Sequence, residues 1–162
     1  MATYTTAGYN PVRQKTFEPL LSPAFHHVSP CFFTRDGRED EDEGSYVNRF
    51  ILEFEKTLEE LGPSSVAAIL VEPISGATLG AAPAAKGYLF RLRDLCDKHG
   101  ALLVFDDEVM CGMGRPRTLH VWQSLENTSP DLQTIGKGLG AVHQPISAIL
   151  VSAKVVLVVL RP

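Results

Sequence analysis

The order of apolar segments between Ser65 and Phe105 constrains this chain more than any other feature. Ser65–Val71 is a short apolar run that closes on Glu72-Pro73, and its length and β-branched residues predict a buried strand. Ser75–Ala85 is rich in glycine, alanine and proline and reads as loop. Gly87–His99 then predicts a helix, with Leu89, Leu92 and Leu95/Cys96 on one side and Gly100 closing it. Ala101–Phe105 is a second buried strand, closing on Asp106-Asp107-Glu108. A strand, a helical crossover and a strand require parallel pairing, so the chain is α/β.

The rest of the chain extends this unit. Val47, Phe50, Ile51, Phe54, Leu58 and Leu61 recur at helical steps, which predicts a helix over Ser45–Leu61 stopped by Gly62-Pro63. Leu132–Ile135 and Ile146–Val151 are two further strand candidates, and Gly112–Arg117 is a turn-rich loop. Residues 1–44 show no period, and the acidic run Arg38–Glu43 reads as a solvated loop. The expected division is an irregular segment over 1–44 and an α/β part over 45–162.

Charge and cysteine usage exclude several function classes. Fifteen Lys and Arg against 19 Asp and Glu give a net charge of −4, which lacks the positive excess that phosphate contact needs. No nucleic-acid partner is expected. Cys31, Cys96 and Cys111 fit neither a disulfide framework nor a metal spacing, and His26-His27 lacks further ligands. They read as reduced thiols, with no metal. Met1–Asn10 has no basic flank or apolar run, and Val155–Leu160 is far too short for a bilayer. A soluble, cytoplasmic chain with no membrane partner is the expectation.

Ionisable groups stand where strands end: Glu72, the Asp106-Asp107-Glu108 cluster, and Lys137. Ligands of open α/β sheets bind outside the carboxyl ends of the strands. Lys137 sits in Thr134-Ile135-Gly136-Lys137-Gly138-Leu139-Gly140, which is no phosphate loop, because Gly138 stands where Ser or Thr is needed and Leu132 where glycine is. Leu102–Glu108 is similar to a magnesium-holding strand of ATPases, but without that loop it has no phosphate cradle. An aspartate and a lysine on neighbouring strand ends suit pyridoxal phosphate instead. Its aldehyde needs a lysine, and its ring nitrogen needs a carboxylate that keeps it protonated.

These residues fall into a pattern. Val71-Glu72-Pro73-Ile74-Ser75-Gly76, Gly87-Tyr88-Leu89 and Cys96-Asp97-Lys98-His99-Gly100 come first. Asp107-Glu108-Val109, Gly112-Met113-Gly114-Arg115, Pro130-Asp131 and Lys137-Gly138-Leu139-Gly140 with Pro145-Ile146 follow. In this order they resemble the class III, ω-amino-acid type aminotransferases. The likeness spans Ala67–Leu150, more weakly Thr16–Phe33, and no motif carries it into Met1–Asn10 or Lys154–Pro162.

The resemblance implies a partial large domain of the fold-type I pyridoxal-phosphate-dependent transferases, a mostly parallel sheet with flanking helices. It implies that Lys137 bonds to the cofactor aldehyde and then carries a proton between substrate Cα and cofactor C4′. By it, Asp107 pairs with the ring nitrogen, in register with Glu108-Val109, and Val109 packs on the ring face. Asp106 counts as an extra acid, while Glu72 and Arg115 brace loops. The implied partners are a small amino donor, a 2-oxo acid acceptor and a second subunit.

Departures from the pattern bear on the site. Met110 replaces a glutamine that contacts the cofactor in many members. Ala77 replaces the glutamate of ornithine- and γ-aminobutyrate-type members, which turns the comparison toward β-alanine-, taurine- or amine-type donors with pyruvate. Arg115-Pro116-Arg117 and Gly140-Ala141-Val142 stiffen or crowd loops that are glycine-rich in the family. The family fold is much longer, and the chain shows no Gly/Ser-rich loop for the cofactor phosphate, so a truncated form is expected. Whether it is an enzyme stays open at this point: it transaminates, or it is a non-catalytic fragment or pseudoenzyme that pairs with a full-length relative.

Overall fold

A computed structural model describes residues 15, 18–62, 64–76, 79–106, 117–141 and 143–161. The chain divides between Cys31 and Phe32 into two compact units. Described elements of the first are confined to a 3-10 turn at Glu18–Leu20, where the Leu21 N–H donates to the Glu18 carbonyl at 3.1 Å.

The second unit carries a four-stranded sheet and its helices. In chain order these are α1 (Phe33–Asp36), α2 (Glu43–Leu61), β1 (Ala68–Val71), α3 (Tyr88–His99) and β2 (Leu102–Asp106). Then come α4 (Val121–Leu125), β3 (Leu132–Ile135), a 3-10 turn at Lys137–Gly140, β4 (Ala148–Val151) and α5 (Ala153–Val159). The sheet order is β1-β2-β3-β4. β1, β2 and β3 are parallel, whereas β4 runs antiparallel to β3.

The acidic run is exposed except at Glu41, as a solvated loop would be, but two of its carboxylates have structural roles. Asp42 caps α2 by accepting the Ser45 N–H at 2.7 Å. Glu41 accepts Arg49 Nη2 at 2.7 Å, and its side chain is only 8% exposed. Tyr46, which the helical period passes over, is wholly buried, and its hydroxyl accepts the Phe32 N–H at 2.7 Å. Phe33 packs edge-on against it at 5.2 Å. These contacts tie residues 32–44 to α2, so the compact unit begins ahead of the expected boundary. Gly62, at φ 97, ends α2 with its N–H on the Leu58 and Glu59 carbonyls.

Helix α3 buries Tyr88, Leu89, Leu92, Leu95 and Cys96. It packs on β2, and α2 packs on α3. The face it covers holds Leu103 and Phe105, both at 0% exposure. Helix α4 joins this face through Trp122 Nε1, which donates to Gln133 Oε1 at 3.1 Å. The opposite sheet face is different. Leu70, Val104, Leu132 and Val151 are register partners and form one apolar row across all four strands. At its two ends Leu70 and Val151 are exposed. Every residue of β4 is exposed, and α5 buries none.

Candidate functional site

Because β1, β2 and β3 are parallel, their carboxyl ends open at one edge of the sheet. The residues that leave those ends are Glu72, Asp106 and Lys137. The sequence places them far apart, and the sheet order brings them side by side.

Glu72 braces the loop that follows β1. Its Oε2 accepts the Gly76 N–H at 3.2 Å. That loop folds back on itself, with the Ser75 N–H on the Ala82 carbonyl at 2.9 Å and the Ala84 N–H on the Pro73 carbonyl at 3.0 Å. One side of Glu72 meets water, yet protein crowded around the carboxyl pushes its pKa up by desolvation. The Gly76 N–H and the Lys137 ammonium act the other way, while the Asp106 carboxylate adds to the rise.

Asp106 is the last residue of β2, and its Oδ1 accepts the Thr134 hydroxyl at 2.9 Å. Thr134 is its register partner on β3. The family register makes Asp106 an extra acid and Asp107 the ring partner. Asp107 and Val109 lie outside the described residues, as does Arg115.

Lys137 is exposed at the first residue of the 3-10 turn after β3. Its φ is +41°, in the left-handed region where a side chain is strained. Such strain persists only where the surroundings impose it. Here Gly136 and Gly138 flank the residue, and the Leu139 N–H donates to the Gly136 carbonyl at 2.9 Å. A Cβ on Gly140 would meet the Ile146 side chain at 3.0 Å, so the segment before β4 presses closely on this turn.

Other singled-out residues have structural roles. His120 caps α4 and stacks on Trp122 at 5.7 Å. Asp131 accepts Arg93 Nη1 at 2.7 Å and the Leu103 N–H at 2.9 Å. Glu126, unremarked in the sequence, accepts the Gly87 and Phe90 N–H groups at the start of α3. A cleft of about 210 Å3 beside it is lined by Glu43, Lys86 and Leu89, none of them at the strand ends. Among the described residues no cluster of metal-ligating side chains occurs.

Comparison with known proteins gives one result. Residues 2–161 match the family Aminotransferase class-III, which takes in both ends of the chain, where no motif carries the likeness. An uncharacterized aminotransferase of Schizosaccharomyces pombe is 40% identical over 151 residues, 93% of this chain and 32% of the relative. An acetylornithine aminotransferase of Xanthomonas axonopodis pv. citri is 53% identical over 91 residues, 56% of this chain and 21% of the relative. A thermostable (S)-enantioselective omega-transaminase from Thermomicrobium roseum superposes with a TM-score of 0.84 at 30% identity, over 95% of this chain and 33% of that one. The chain thus spans about a third or less of the length of these relatives.

Proteins of this family are pyridoxal-phosphate-dependent transaminases acting on amino and keto substrates. The residue types at the strand ends are those the cofactor needs, a lysine on a strained turn after β3 and an aspartate closing the adjacent β2. No helix among the described residues is long and apolar enough to cross a membrane. The chain belongs to the class III aminotransferase family, and its sheet is part of the fold-type I large domain.

Proposed function

We propose that this chain takes part in transfer of an amino group between an amine or amino acid and a 2-oxo acid, with pyridoxal phosphate held at the ends of β1, β2 and β3. The observation that carries this reading is Lys137 on its strained turn, within electrostatic reach of Glu72 and one strand from Asp106. When bound, pyridoxal phosphate supplies an aldehyde that takes up the amino group and a ring that takes up electrons. Lys137 Nζ would hold the cofactor and would carry the proton during the transfer. By family register the carboxylate for the ring nitrogen would come from Asp107. By family register Val109 would pack on the ring face. Glu72 keeps the loop after β1 in place through Gly76.

A homodimer and a cytoplasmic setting belong to the same reading. The first is supported by the family resemblance, the second by the buried Cys96, a thiol in no disulfide. A second reading, a non-catalytic piece that pairs with a full-length relative, is favoured by the full exposure of β4.

Borohydride trapping tests the choice. The purified chain is incubated with pyridoxal phosphate, reduced, digested and analysed by mass spectrometry, with Lys137→Ala as control. Selective pyridoxyl labelling of the Lys137 peptide is the expected result. Random labelling, or none, overturns the cofactor reading and leaves the pairing one.

A further inference from the structure

We propose that a second copy of this chain docks on the free edge of β4, pairing antiparallel about a two-fold axis at Leu150, so that two four-stranded sheets join into one of eight strands. The contact needs no cofactor and stands apart from the amino-transfer reading.

The first support is the state of the edge. β4 ends the order β1-β2-β3-β4, and no described strand flanks its other side. An edge strand presents a row of unpaired N–H and C=O groups, which proteins blunt with lysine, proline or a bulge. Ala148–Val151 carries none of these, and all four residues are exposed.

The second support is the direction of those groups. In an antiparallel pair, residues that bond to the neighbouring strand alternate with residues that do not. The Ser152 N–H donates to the Asp131 carbonyl on the β3 side at 2.9 Å. Two residues back, Leu150 is the register partner of Gln133 and bonds to β3 as well. Ile149 and Val151 therefore turn their N–H and C=O groups outward. A two-fold axis at Leu150 sets Ile149 of each copy opposite Val151 of the other. Each of these two pairs exchanges both its hydrogen bonds, and Leu150 meets its own copy as a non-hydrogen-bonded pair with the side chains close.

The third support bears on the occupant. A two-fold contact sets each residue near the axis against its own kind, so a charge there repels itself. From Gln144 to Leu160 the one charged residue is Lys154. It is drawn toward its own chain, 3.9 Å from Asp97 and 3.7 Å from Asp131. Val151 ends the apolar row that begins at Leu70, so pairing carries that row on to Ile149 of the second copy. Eight large apolar residues between Ile146 and Leu160 are 37% to 74% exposed. Together they offer on the order of 800 Å2, the area each partner gives to a standard interface.

Sedimentation of the whole chain between about 1 and 100 µM tests this, a range that takes in a weak interface of standard size. A monomer–dimer equilibrium is the expected result. Amide hydrogen exchange at Ile149 and Val151 should slow about tenfold across that range, whereas Leu150, already bonded to β3, should change little. Ile149→Pro removes an outward N–H and leaves the bonds to β3, so it should hold the chain monomeric with its circular dichroism spectrum unchanged. Ile149→Lys keeps the N–H and should weaken the dimer about tenfold by placing a charge beside the axis. Leu150→Cys should form a disulfide between two copies under mild oxidation, because Cα atoms of such a pair lie about 4.5 Å apart, within disulfide range. Leu52→Cys, at an exposed position on α2, should not. Peptide mapping separates these bridges from any made by the native cysteines.

A monomer at every concentration overturns the inference. So does a dimer that Ile149→Lys and Ile149→Pro leave at wild-type strength, which moves self-association to another surface and leaves a homodimer standing. Growth beyond the dimer, or cross-linking at Leu52→Cys as efficient as at Leu150→Cys, overturns it too. A chain that dimerises through Leu150 but fails the borohydride test overturns the cofactor reading alone.

Discussion

Asp131 holds three segments that are distant in sequence. Its carboxylate accepts Arg93 from α3 and the Leu103 N–H from β2, and its own carbonyl accepts the Ser152 N–H at 2.9 Å at the start of α5. Burial alone would raise its pKa, but the Leu103 N–H and the Arg93 guanidinium outweigh this and hold it below the usual carboxylate range. A carboxyl whose folded pKa is lowered adds stability above its unfolded pKa and loses it as pH falls. The melting temperature should therefore drop below pH ~4, the ordinary aspartate value, and Asp131→Asn should flatten that drop. Asp131→Ala leaves Arg93 without its buried partner and should cost about 3 kcal/mol in urea unfolding. Pro130-Asp131 is visible in the sequence only as a family motif. What it binds depends on β2 lying beside β3, which no local pattern states. Lys137 was legible for the opposite reason: its flanking glycines and the strand before it are local.

Helix α2 shows how far local signals reach at the level of an element. Its apolar period and its Gly62 stop are both readable, and the helix forms where they say. The apolar period places the start at Ser45, but Asp42 is the cap and the helix begins at Glu43. Asp42→Ala should cost about 1 kcal/mol, measured by thermal or urea unfolding. The Glu41 carboxyl is pulled down to about 2 by the Arg49 guanidinium, with a smaller pull from the Arg38 N–H. Its contribution is present above the ordinary glutamate pKa and is lost as pH falls toward 2. The circular dichroism helix signal should weaken over that range, and Glu41→Gln should remove this part of the pH dependence. Helix α5 is the contrary case. Ala153–Val159 has β-branched residues and no polar face, so its period says nothing, and the helix forms with its side chains largely in water.

The sheet of the second unit has one face packed under helices and one that ends in exposed residues. Parallel sheets are ordinarily covered on both faces. Here α3 and α4 cover the face of Phe105 and Gln133, while the row from Leu70 to Val151 ends in exposed apolar residues. Ile149 is 65% exposed and Leu157, Val158, Val159 and Leu160 range from 65% to 74%. Contiguous apolar surface on a typical monomer reaches only about 300–600 Å2. The purified chain should therefore bind anilinonaphthalene sulfonate and sediment faster as its concentration rises. Ile149→Lys and Leu157→Lys together should reduce both effects. Concentration-independent sedimentation as a monomer would contradict this. In the comparisons the chain spans about a third of the relatives' length.

By itself, the sequence determined the order and type of the main elements, the class III aminotransferase family and the lysine on its glycine-flanked turn. Each of these is written in neighbouring residues, as a period, a cap, a stop or a motif. Only the tertiary structure decided that β4 runs antiparallel, that Tyr46 and Arg49 gather residues 32–44 onto α2, and that Asp106 meets Thr134 at the strand ends. Those facts depend on strand order and register, which are fixed by hydrogen bonds and packing between segments far apart in the chain.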